Sequence, residues 1–70
     1  MTDNGRRDLV VRAIKSLPLE LRRAFVMRYV IGMSWGEVAA QLGVSQHALW
    51  RLLARALLHC RTFMAAEENP

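Results

Sequence analysis

Val38-Ala39-Ala40-Gln41-Leu42-Gly43-Val44-Ser45-Gln46-His47-Ala48-Leu49-Trp50-Arg51 holds the parts of two helices joined by a tight turn, and each part has its own physical reason. Ala39 is small enough to let two helices cross closely. Gly43 adopts the left-handed conformation that stops a helix without a Cβ penalty, and Val44 plugs the space between the helices. Ser45 caps the second helix by accepting from a free backbone N–H, and Leu49 anchors that helix on its inner side. The combination predicts a helix-turn-helix, although a helical hairpin with no role at DNA shares some of these features.

Moving upstream, Ser34-Trp35-Gly36-Glu37 is the S-x-x-E capping box, in which serine and glutamate side chains satisfy each other's free amides. The helix it opens carries Trp35, Val38, Ala39 and Leu42 on its apolar face. Further upstream, Leu19 to Ile31 starts after Pro18 with Glu20 in the first turn, and Gly32 closes it. The first helix is expected over Asp8 to Ser16, where Val10, Ala13, Ile14 and Leu17 recur at helical spacing, and Leu17-Pro18 ends it. Downstream, the fourth helix runs from about Gln46 to Met64 with an inner stripe of Leu49, Leu53, Ala56, Leu57 and Cys60. No strand-like alternation or repeat intervenes. The expected fold is all-α: a four-helix domain over residues 8–64 with a helix-turn-helix of the winged-helix-like DNA-binding class but no wing. A flexible head, 1–7, and a flexible tail, 65–70, flank it.

Seventy residues admit one domain, and a chain of this size buries only about 60% of its unfolded surface, near the lower limit for independent stability. One cysteine, Cys60, and two histidines, His47 and His59, exclude an internal disulfide and a zinc site built from thiolates and imidazoles alone. No metal and no cofactor is expected. Met1 to Asp8 lacks the apolar region of a signal peptide, and Arg28 interrupts the best apolar run, Ala24 to Trp35. These features predict a soluble, cytoplasmic protein.

Ten Lys and Arg face six Asp and Glu, for a net charge of +4, and no acid occurs between Glu37 and Glu67. That interval holds Arg51, Arg55, Arg61 and both histidines, a distribution that suits either phosphate or a solvated basic face. Helical spacing places Gln46, His47, Trp50, Arg51, Ala54 and Arg55 opposite the inner stripe. Arg51 and Arg55 lie one turn apart and can enter one major groove, where a guanidinium pairs with guanine or holds phosphate. Two placements of Trp50 stay open: stacking on sugar or a thymine methyl, or packing against a neighbouring helix. The second helix carries more apolar residues than a small domain can enclose, and Leu21, Phe25, Met27 and Val30 are candidates for a partner surface unless helices one and four cover them. Enzymatic function is not expected. The carboxylates are few and scattered, no Gly-rich phosphate loop exists, and His59 and Cys60 are adjacent, about 100° apart around a helix.

From Leu17 to Arg61 the chain resembles domain four of bacterial RNA polymerase sigma factors of the extracytoplasmic-function group. The resemblance lies in Leu17-Pro18-Leu19-Glu20, Arg28-Tyr29-Val30-Ile31-Gly32-Met33-Ser34-Trp35, Glu37-Val38-Ala39, Leu42-Gly43-Val44-Ser45 and Leu53-Ala54-Arg55-Ala56-Leu57. The ending Ala54-Arg55-Ala56-Leu57-Leu58-His59-Cys60 is similar to the iron-uptake (FecI-type) branch. The resemblance implies a last helix that reads the minus-thirty-five element of promoter DNA, first helices that dock on the β flap of the RNA polymerase core, and an anti-sigma protein that masks them. It places Ser34, Trp35, Gln46, His47, Trp50, Arg51, Ala54 and Arg55 at the DNA. The chain departs from the family at Trp50, where Lys or Arg is usual, and it lacks the promoter-melting domain two. A fragment, half of a split factor whose other chain supplies domain two, and a free-standing regulator all stay open. Beside the DNA-reading module stand two alternatives: an adaptor that binds the polymerase flap or an anti-sigma protein without specific DNA recognition, and a self-associating regulator.

Overall fold

A computed structural model describes residues 2–68. Among them are four α-helices and no strand: α1 (Thr2–Lys15), α2 (Leu19–Phe25), α3 (Trp35–Leu42) and α4 (Gln46–Glu68). A π-helical turn, Val26–Ile31, continues α2 without a break. Met1, Asn69 and Pro70, assigned from sequence to the flexible head and tail, lie outside the described residues. The helix bounds differ from expectation at both ends: α1 starts at Thr2 rather than Asp8, and α4 runs to Glu68 rather than Met64. An ion pair from α1 ties down the extension of α4. Arg12 pairs with Asp8 one turn back at 3.5 Å and with Glu67 near the end of α4 at 2.9 Å.

The molecule measures 38 × 21 × 15 Å, and its long axis follows from α4, whose 23 residues span about 34 Å at 1.5 Å per residue. The other elements pack along this helix. The core consists of Ala13, Leu17, Leu21, Ala24, Val38, Ala39, Leu49, Leu52, Leu53, Ala56 and Cys60, with Leu17, Leu49, Leu53 and Val38 the largest side chains fully enclosed. Two stripes are rotated from their expected positions. On α4, Leu52 is buried and Leu57 is 42% exposed; on α1, Leu9 is buried and Val10 faces solvent. In each case one apolar residue on the edge of the stripe replaces another, because the neighbouring helices cover only a narrow strip of a small domain.

The second segment ends differently from a plain α-helix. The Met27 carbonyl accepts from both the Gly32 and Met33 amides, Gly32 standing at φ 89°. This wide turn carries Tyr29, Val30 and Ile31 outward, so α1 and α4 do not cover the apolar excess of this segment.

Leu53 is enclosed from all sides, and truncating it opens a cavity in a core with little reserve. Leu53→Ala is expected to lose about 2 to 5 kcal/mol and to unfold the domain or nearly so, as read by urea or thermal melting. A melting curve unchanged from that of the parent chain would mean that α4 is rotated relative to the core.

Candidate nucleic-acid interface

The turn between α3 and α4 is built from three residues with complete hydrogen bonding. Gly43, at φ 70°, donates to the Ala40 carbonyl at 3.2 Å, and Val44 donates to Ala39 at 3.0 Å. These two bonds form a Schellman motif and occupy carbonyls that the end of α3 would leave free. Ser45 then caps α4, its Oγ accepting from the Ala48 amide at 3.0 Å. At the other end of α3 the capping box is complete: the Ser34 amide donates to Glu37 Oε1 at 2.9 Å, and the Glu37 amide donates to Ser34 Oγ at 3.2 Å. These bonds hold the Glu37 carboxyl below the usual carboxylate range, the Ser34 backbone amide acting most strongly and the hydroxyl next.

With Leu49, Leu52, Leu53 and Ala56 turned inward, α4 presents Gln46, His47, Trp50, Arg51, Ala54 and Arg55 to solvent, all of them exposed. All six residues assigned to this helix by spacing therefore share its outer side. Ser34 is also exposed, and Trp35 is half-buried against the core. Trp50 is 58% exposed, and its ring stacks on His47 with centroids 6.2 Å apart at an interplanar angle of 19°. Packing against a neighbouring helix is thereby not its role within the chain. Among the described residues, no ion pair involves Arg51 or Arg55.

Three features were not legible from spacing. Glu20 of α2 lines a groove with Val44, Ala48, Arg51, Leu52 and Arg55, so the surface around the two arginines is not of one sign although the sequence between Glu37 and Glu67 is acid-free. Arg28 places its guanidinium over both the Tyr29 ring, at 5.7 Å, and the Trp35 ring, at 5.6 Å, joining the π-helical turn to the start of α3. Aromatic residues at those two positions were the available signal. His59 sits 3.2 Å from Ser16 Oγ, whose proton goes to the Ala13 carbonyl at 2.6 Å, so the His59 Nε2–H is the donor in that pair. Cys60 is buried in the core, and desolvation pushes its thiol pKa up, as suits a small packing residue.

The expected partner residues separate. Leu21 belongs to the core and presents almost no surface; Phe25 and Met27 pack against the core and are half-buried. Val30 is 63% exposed, and with Tyr29 and Ile31 it forms an apolar surface beside a groove lined by Arg22, Arg23, Val26, Met27 and Ile31. No described helix is long and apolar enough to cross a membrane, and no group of three or more potential metal ligands occurs among the described residues.

A helix capped at both ends, a left-handed turn and a second helix with an exposed polar and cationic side define a helix-turn-helix domain. Residues 7–60 match the family model described as Sigma-70, region 4, and the chain belongs to that family. It is also similar to an RNA polymerase sigma-F factor from Kitasatospora aureofaciens, at 38% identity over 56 residues, which is 80% of this chain. The chain spans only 19% of that relative's length. No solved structure matches it. The region 4 family is a non-enzymatic transcription-factor domain, the part of a sigma factor that interacts with DNA and with RNA polymerase.

Because the Glu37 pKa is lowered in the folded chain, its contribution to stability is present above the ordinary glutamate range and is lost as pH falls through the folded value. Urea melts at stepped acid pH should show the parent chain losing more stability on acidification than Glu37→Gln, whose capping amide does not titrate. Parallel profiles for the two chains would separate Glu37 from the acid response.

Proposed function

We propose that this chain is a promoter-reading module of the extracytoplasmic-function, FecI-type branch, acting in the cytoplasm. In this reading α4 enters the major groove of the minus-thirty-five element, and the start of α3, at Ser34 and Trp35, lies on the adjoining backbone. The observation that carries it is the outer side of α4: Gln46 and His47 in the first turn, where a recognition helix reaches base edges, followed by Arg51 and Arg55 one turn apart. A guanidinium there pairs with guanine in bidentate fashion or neutralises phosphate. Glu20 beside the arginines repels phosphate on that flank and favours base contact over indiscriminate binding along the backbone.

The surface of Tyr29, Val30 and Ile31 supports a second contact, with the β flap of RNA polymerase, and an anti-sigma protein would compete for it. The same surface favours the adaptor reading, in which the polymerase or anti-sigma contact persists without specific DNA recognition. The two readings differ in their response to salt. Phosphate contacts release counterions and weaken steeply with ionic strength, whereas apolar docking does not.

The test is binding of the chain to promoter-length duplexes, with random DNA as competitor, across a salt series. Sequence-preferring binding that falls with salt is expected. Arg51→Ala and Arg55→Ala should each lose about 1 to 3 kcal/mol where the arginine meets a base, with helicity unchanged. Binding unaffected by either substitution would remove α4 as the reading helix, and absence of binding by a folded chain would favour the adaptor.

A further inference from the structure

Trp50 is the largest apolar group on the outer side of α4, and nothing within the chain explains its exposure. One turn further along the helix stands Ala54, so indole and methyl form a short apolar strip with Gln46 and His47 at one end and Arg51 alongside. His47 lies nearly parallel to the indole, the ring centroids 6.2 Å apart, and so narrows the orientations open to it before any partner arrives, which lowers the entropy lost on binding. A strip of this kind, set among hydrogen-bonding and cationic side chains, needs a partner that is apolar at one point and polar or anionic around it. Among the groups that base edges expose in the major groove, that description fits one: the C5-methyl of thymine. Guanine, cytosine and adenine present only donors and acceptors there. An indole set against a bare acceptor or a phosphate would instead desolvate that group without offering it a bond.

We propose that Trp50, supported by Ala54 and held by His47, is a specificity-determining residue that selects thymine by its methyl group in the DNA bound by α4. This rests on the DNA-binding reading above and adds to it the chemical feature that is read. An apolar contact at this position discriminates between bases, whereas a Lys or Arg there would add affinity for phosphate of any sequence.

The experiment enriches duplexes from a random pool with the full chain, then replaces each thymine of the enriched site by uracil, one at a time, which deletes the methyl and nothing else. The expected result is one or two adjacent positions at which uracil weakens binding about fourfold, the transfer value of a buried methyl. At those positions Trp50→Ala, checked for unchanged helicity, should bind the thymine and uracil duplexes equally. Placing 5-methylcytosine there, opposite guanine, should recover part of the loss relative to cytosine for the parent chain alone. Uracil tolerated at every position would overturn the proposal, even if Trp50→Ala binds more weakly, because the indole would then act on sugar or backbone. An unchanged affinity of Trp50→Ala for all duplexes would also overturn it, leaving the indole to a protein partner. The broader DNA-binding reading fails in a different way, with no sequence enriched and no binding at low salt.

Discussion

The turn from Leu42 to Ser45 fixes the direction in which α4 leaves α3, and the placement of every exposed residue on α4 follows from it. Gly43 stands at φ 70°, and a Cβ built there would meet no atom within 4 Å. Backbone conformation therefore restricts this position, since a side chain would have space but would be strained at positive φ. The bonds from Gly43 and Val44 to the end of α3, with the Ser45 cap on α4, satisfy the free groups of two helix ends within three residues. A turn closed in this way leaves little freedom in the crossing of the two helices.

With its direction set, α4 serves two purposes that a larger domain would divide between elements. Leu49, Leu53 and Ala56 on one side are almost wholly enclosed by the other helices, while Trp50, Arg51 and Arg55 on the other side remain in solvent. The same enclosure determines both, because rotating the helix to bury Trp50 would bring Leu49 or Leu53 out into water. A buried leucine is worth roughly 2 kcal/mol or more in transfer alone, which is large against the few kcal/mol of net stability that a core of this size supplies. The outer side of α4 is thus held in place by its inner side, with no need for further contacts at the candidate interface.

Local chemistry was the legible part of the sequence. Ser34 and Glu37, Gly43, and Ser45 each bring their own hydrogen-bonding or conformational requirement, and α3 came out at Trp35–Leu42 with both ends as expected. Features that depend on what lies across from a residue were not legible. Leu52 and Leu57 are chemically the same and occupy opposite edges of one stripe, and only the position of the neighbouring helices buries the first and exposes the second. The π-helical turn at Val26–Ile31 escaped for a related reason: a run apolar on several sides has no periodicity that separates a wide turn from an ordinary one. Glu20 illustrates the same limit for charge, since an acid remote in sequence lies beside Arg51 and Arg55 in space.

Arg28 connects the π-helical turn to the start of α3. Its Nε is buried without a hydrogen-bond partner among the described residues, an arrangement that by itself costs about 1 to 3 kcal/mol. The guanidinium's approach to the faces of Tyr29 and Trp35 offsets part of that cost. Tyr29 belongs to the exposed apolar surface of the π-helical turn, and Trp35 follows the N-cap of α3. Through these two rings Arg28 links the exposed apolar surface of the π-helical turn to the start of the helix-turn-helix.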